Sequence, residues 1–184
     1  MSFFNKYYRD ASTCISNLDK NKIETICQLI KKTSKKGGTI FIAGNGGSAS
    51  TASHMSTDFT KNAKVKAVSF NDANLITCFS NDYGYENWLK AAIKYYVKSK
   101  DLVILLSVSG ESKNLINAAN LCSKKKIELI TITGAKKNNS LSKKGNINYW
   151  IDSKAYNIVE TVQMLILASI VDKIIGKSEY SSNL

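Results

Sequence analysis

Apolar residues recur along this chain at two spacings, and the two alternate. Ile23, Ile26, Leu29 and Ile30 fall three or four positions apart and predict an amphipathic helix over 20–36, preceded by another over 3–18. Asp19 or Asn21 can cap the second helix, and Gly37 and Gly38 end it. Thr39-Ile40-Phe41-Ile42-Ala43 then reads as a buried strand leading into a polar helix at about 48–61. A strand over 65–70 follows, then a short helix from Asn71 and Asp72 through Phe79, a turn over 81–84, and a helix over 86–98. Residues 102–107 form the most continuous apolar run, as expected of a central parallel strand covered on both faces. A helix to about 124, a strand over 127–133, a short helix or loop over 138–144, a strand over 147–151 and a helix over 156–175 complete the chain.

Strands alternating with helices predict an α/β fold: a three-layer sandwich around a five-stranded parallel sheet of order 2-1-3-4-5. The 184 residues suit one domain, with a helical pair (1–36), a parallel core (37–176) and a polar tail (177–184). The last helix is apolar on more than one side, with Val159, Val162, Leu165, Ile166, Ile170 and Val171. Such a helix is buried within a domain or between subunits, so a homo-oligomer is expected.

The N-terminus shows no secretory signal and no run reaches a membrane span, so a cytoplasmic protein without membrane contact is expected. Cys14, Cys27, Cys78 and Cys122 lack C-x-x-C spacing and read as reduced thiols. The formal charge of +12 raises the question of nucleic acid. The lysines are scattered along the sequence without interleaved aromatics, however, so they read as solvated surface and no nucleic-acid partner is expected.

The chemistry lies in two turns. After the first strand, Gly44-Asn45-Gly46-Gly47-Ser48 turns the chain into a helix. Its glycines allow close backbone approach, and N–H groups at a helix start suit an anion. The spacing is neither a dinucleotide fingerprint nor a P-loop, so no nucleotide cofactor is expected. His54, the one His of the chain, and Asp58 stand four residues apart on one helix face. There His54 can be a hydrogen-bonding partner or a ligand. The second turn, Ser107-Val108-Ser109-Gly110-Glu111-Ser112, offers three serine hydroxyls at a helix start. Ser107, Ser109 and Ser112 make a phosphate seat without Lys or Arg, or merely cap the helix. Both turns leave the C-terminal ends of adjacent strands, where open α/β sheets bind ligands. Asp82 can recognise a hydroxyl or cap its own turn.

In order and spacing these two turns, with Asn81-Asp82-Tyr83-Gly84-Tyr85 between them, resemble the bacterial phosphoheptose (sedoheptulose 7-phosphate) isomerases, which have a sugar isomerase (SIS) fold. The resemblance implies conversion of sedoheptulose 7-phosphate to D-glycero-D-manno-heptose 7-phosphate by proton transfer through an enediol. It implies that the three serines hold the phosphate, while Asn45, Gly46, Gly47, Ser48, Asp82 and Gln163 line the sugar. It also implies a tetramer with sites at subunit contacts and a zinc ion held by side chains at the positions of His54, Asp58 and Glu160.

This chain departs from the family at the reacting groups. Asp58 replaces the family's Glu, withdrawing the carboxylate by about 1–1.5 Å. Without gaps, Glu160 falls at a Gln position, Gln163 at a His position, Asn157 at a substrate-facing Asp and Ala168 at the catalytic His. Val108 and Glu111 stand where Thr and Asn are common. Two readings follow. In one the protein is an isomerase with a modified acid/base set, Asp58, His54 and Glu160. In the other it is a non-catalytic sugar-phosphate sensor or a protein-binding adaptor, similar to the DnaA initiator-associating protein.

Overall fold

The computed structural model describes residues 1–180; the last four residues of the predicted tail lie outside the described residues. Five apolar segments form one all-parallel sheet: β1 (Ile40–Gly44), β2 (Ala67–Ser69), β3 (Leu102–Ser107), β4 (Glu128–Thr133) and β5 (Ile147–Trp150). Its order is β2-β1-β3-β4-β5, as the sequence predicts. Helices α1 (Phe3–Ser16) and α2 (Lys20–Lys35) precede it; α3 (Gly47–Lys61), α4 (Ala73–Tyr83), α5 (Trp88–Tyr96), α6 (Lys113–Lys125) and α7 (Tyr156–Ile175) fill the connections and the end.

Alternate residues of the central strands face opposite layers. Ile40, Ile42, Leu102, Ile104 and Leu106 pack with α2, α3 and α7, while Phe41, Ala43, Val103 and Leu105 pack with α5 and α6. These two cores make the three layers. Each fully buried aliphatic side chain contributes about 1.5–3 kcal/mol. Asp19 caps α2 through the Lys22 N–H, and Asp72 caps α4 through the Leu75 N–H.

The structure departs from expectation in two places and decides a third that the sequence left open. The turn predicted over 81–84 is helix as far as Tyr83, and Gly84, at φ +78°, ends it. Asn81 and Asp82 therefore sit on the last turn of α4. Of the helix or loop expected over 138–144 the chain takes the loop: buried Asn139 folds that stretch into turns, donating to the Gly134 and Lys136 carbonyls and accepting from the Ser142 N–H. β2 has only three residues, because it lies at the sheet edge with Val68 exposed. Helix α1 buries no residue fully, and Phe3, Phe4 and Tyr8 stand 73%, 66% and 65% exposed. No described helix is long and apolar enough to cross a membrane.

Candidate functional site

β1 and β3 pair along their length, with Gly44 opposite Leu106. Both predicted turns therefore leave the same edge of the sheet from neighbouring strands, about 4.8 Å apart. The order of connections reverses between these strands, which opens a crevice there. A reciprocal amide pair ties the two turns: the Asn45 side-chain NH2 donates to Asn114 Oδ1 (3.0 Å) and the Asn114 NH2 donates to Asn45 Oδ1 (2.9 Å). Asn114 lies on the second residue of α6, is 2% exposed, and belongs to no motif. The one signal for it in the sequence is an amide among core residues, next to Leu115. The Tyr85 hydroxyl reaches Asn45 Oδ1 at 3.5 Å from the far side of the crevice.

The first turn rises through Gly46, at φ +55°, a backbone angle that favours glycine. Gly46 is the N-cap of α3 and no side chain caps that helix. Among the described residues the Gly47 and Ser48 N–H groups find no acceptor, as the first donors of a helix do not within it. The Ser48 side chain is 2% exposed and donates to Gln163 Oε1 (2.9 Å), while Gln163 is fully buried and donates to the Ile132 carbonyl (3.3 Å). Their side chains join α3 to α7 and β4 rather than opening onto the crevice. What the turn offers outward is Ser48's backbone, Gly46, Gly47 and the Asn45 amide.

In the second turn Ser107 Oγ accepts from the Gly110 N–H (3.0 Å) and Ser109 Oγ from the Glu111 N–H (3.2 Å). Ser112 is the N-cap residue of α6, yet its side chain makes no capping bond. Its hydroxyl therefore stays available, as do the Ser109, Ser112 and Lys113 N–H groups, which among the described residues find no acceptor. Glu111 turns away to accept from the Ser140 N–H (3.0 Å). The Ser140 side chain and N–H hold its carboxyl below the usual carboxylate range. Any side chain at Gly110 would meet Asn139, so the 136–144 loop is seated directly on this turn.

Glu160, on the second turn of α7, places its carboxylate against Gly47, where an added Cβ would lie 2.5 Å from its Cδ. A carboxylate there is favoured by the N-terminal dipole of α3. His54 and Asp58 sit further down α3 and pair with each other, Nε2 to Oδ2 at 3.3 Å. Asn62 also donates to Asp58 at 3.3 Å. At about 1.5 Å of rise per residue the two lie about 10 and 16 Å below Gly47. His54, Asp58 and Glu160 thus do not converge within one chain, and no group of three described His, Cys, Asp or Glu residues can hold a metal. The single chain supplies a two-ligand half-site, which does not fit a structural or catalytic zinc. Asp82 is exposed on α4, accepts from the Asn81 amide (3.0 Å), and makes no bond to either turn.

Comparison with known proteins agrees with this geometry. The family model described as "SIS domain" matches residues 4–134. A phosphoheptose isomerase of Thermodesulfovibrio yellowstonii is 35% identical over 127 residues, 66% of this chain and 63% of that protein; the match thus spans less than two thirds of the relative's length. The solved phosphoheptose isomerase of Francisella tularensis superposes at a TM-score of 0.87 and 20% identity, covering 96% of this chain and 100% of that one. The Vibrio vulnificus NanR protein, solved with ManNAc-6P, superposes at 0.70 and 16% identity over 92% of this chain and 59% of its own. The parallel order, the crevice between β1 and β3 and a family match over well over half its length agree: the chain belongs to the SIS domain family.

Proposed function

We propose that this chain is a sugar-phosphate isomerase that interconverts sedoheptulose 7-phosphate and D-glycero-D-manno-heptose 7-phosphate. The observation that carries the reading is the serine turn at the head of α6, beside the glycine turn at the head of α3. Its Ser112 hydroxyl and three N–H groups are unspent and aimed from a helix start, the chemistry of a phosphate seat. The sugar then extends across Asn45 towards Gly47 and Glu160, with Tyr85 on the opposite wall.

Isomerisation moves a proton between the two carbons that flank the carbonyl. A base takes the proton from carbon, the electron pair forms the enediol double bond, and the carbonyl oxygen gains a proton. Returning a proton to the neighbouring carbon completes the exchange. Glu160 is the carboxylate at the crevice in this chain and takes the base role. The Gly47 and Ser48 N–H groups suit the oxygen that gains charge. Ala168 transfers nothing, so the second acid/base group is the His54–Asp58 pair, which reaches a crevice only from a neighbouring copy. The uncovered Phe3, Phe4 and Tyr8 supply apolar area for that association, in keeping with a tetramer. A zinc ion would require the same association to gain a third ligand.

A second reading has one observation in its favour. Ala168 stands where the resembling enzymes have their catalytic His, and a structural neighbour is solved with a sugar phosphate bound as ligand. A sensor or adaptor keeps the serine seat and loses turnover. The seat is tested in either case by Ser109→Ala with Ser112→Ala, titrated calorimetrically with sedoheptulose 7-phosphate. Loss of bonds to a charged phosphate, about 1.5–3 kcal/mol each, predicts at least a tenfold weaker Kd. An unchanged Kd removes the phosphate seat.

A further inference from the structure

The lysines scattered through the sequence are gathered by the topology. In an all-parallel sheet every strand begins at the same edge, here the edge opposite the crevice. Lys64 and Lys66 lead into β2, Lys35 and Lys36 into β1, and Lys98 and Lys100 into β3. Lys124, Lys125 and Lys126 lead into β4, and Lys143 and Lys144 into β5. Every strand entry thus carries at least two lysines, all exposed, in a row about 19 Å wide at 4.8 Å per strand.

No described salt bridge involves any of them. Asp101 is the one carboxylate within these connections. It is 4% exposed and accepts from the Thr39 and Lys98 N–H groups (2.8 Å each), so its charge is spent inward. Glu128, the first residue of β4, is exposed at the strand starts, and Asp58 and Asp172 gather about Tyr180 beside Asn62 at the entry to β2, so the acids there are outnumbered by the lysines. Complementing helix dipoles accounts for Lys35, Lys61, Lys124 and Lys125, which lie in last turns. It does not account for Lys64, Lys66, Lys98, Lys100, Lys143 or Lys144, which lie beyond any helix. Lys64 and Lys126 even occupy left-handed backbone, at φ +56° and +55°, where glycine is the less costly residue.

We propose that this edge binds the phosphate backbone of duplex nucleic acid without reading its sequence. Lysines are point charges for phosphate, whereas bidentate base readout favours Arg, of which the chain has one, Arg9. The connections themselves contain no aromatic residue, and Tyr95 and Tyr96, exposed at the end of α5, are held by the Tyr83 hydroxyl and the Phe70 ring beside one entry only, so no track for stacking unpaired bases runs along the edge. Val65, Ile127 and Leu141 are buried, so the edge has no apolar anchor for a bilayer. A duplex presents about one charge per 1.7 Å, enough for each strand entry to meet a phosphate.

The test is fluorescence anisotropy of the full chain with a labelled random-sequence 30-base-pair duplex between 50 and 200 mM NaCl. Neutralising about five phosphates predicts a log–log slope near −4.5, a loss of about 500-fold across that range. Lys64→Gln, Lys66→Gln, Lys98→Gln and Lys100→Gln together clear the entries of β2 and β3, leave about three phosphates neutralised and should flatten the slope to about −2.7. Lys113→Gln, Lys136→Gln, Lys137→Gln and Lys154→Gln, on the crevice edge, should leave it. If circular dichroism shows the first set unfolded, Lys98→Gln with Lys100→Gln alone should give about −3.6. The proposal is overturned by no binding at 50 mM, by equal losses from both edges, or by lysine-dependent binding to phosphatidylserine vesicles in preference to the duplex.

Discussion

Gly47→Ala separates the site from the scaffold more cleanly than any deletion of a catalytic group. Gly47 is the first residue of α3 and is absent from the residues at positive φ, so alanine fits its backbone. What alanine does not fit is Glu160. The new Cβ would lie 2.5 Å from Glu160 Cδ, where ordinary contact begins at 3.4 Å, so the carboxyl must retreat by about 1 Å. The obstruction is the end of a flexible side chain, so Glu160 swings aside and the fold does not strain. Helix propensity favours alanine by about 0.5–1 kcal/mol, which predicts a melting temperature unchanged or raised by a few degrees. A misplacement of this size at a proton-transferring group costs about 100-fold in rate, or about 2.7 kcal/mol. The assay is kcat/KM for sedoheptulose 7-phosphate by NMR, with the thermal melt on the same sample. Adding Glu160→Asp, one methylene shorter, should restore part of the loss in the Gly47→Ala background while harming the parent, a coupling that distinguishes contact from remote damage. A kcat/KM within twofold of the parent, or a melting temperature several degrees lower, would refute the reasoning.

Two further outcomes follow from the same site. Asn114→Ala leaves the half-buried Asn45 amide with only the 3.5 Å bond from Tyr85, which predicts a loss of about 1 kcal/mol or more in urea unfolding together with weaker sugar-phosphate binding; unchanged stability would mean that the amide pair does not hold the turns together. Glu111 has a folded-state carboxyl held below its unfolded value, so its link to Ser140 stabilises above the ordinary carboxylate range and is lost as pH falls through the lowered value. Glu111→Gln should therefore lower the melting temperature more at pH 7 than in acid, and an equal effect at both would exclude the charge as the cause.

The sheet was legible because its strands are unbroken apolar runs between glycine turns, and the order follows once both ligand turns are required to be neighbours. The serine and glycine turns were legible because donors at helix starts have a local signature. Three parts of the site were not. The Asn45–Asn114 pair joins residues 69 apart, and nothing local marks Asn114 beyond an amide on a core face. The burial of Ser48 against Gln163 reverses the outward role expected of both side chains, because α7 crosses the head of α3, a packing no local pattern encodes. The expected trio of His54, Asp58 and Glu160 fails within one chain because helical spacing placed the pair on one face but gave no measure of how far down α3 that face lies from α7. The helix end at Tyr83 was missed for a simpler reason: Asn81 and Asp82 favour turns, yet tolerate a last helical turn when Gly84 follows to end it.

The decisive measurement is the conversion of sedoheptulose 7-phosphate followed by NMR for the parent chain and for Glu160→Gln, with added zinc and at a concentration where copies associate. An isomerase working through the crevice carboxylate predicts an aldose product from the parent and a rate at least about 100-fold lower from the variant. An inert parent whose melting temperature nonetheless rises with the sugar phosphate would contradict the isomerase and establish the crevice as a sensor's binding site.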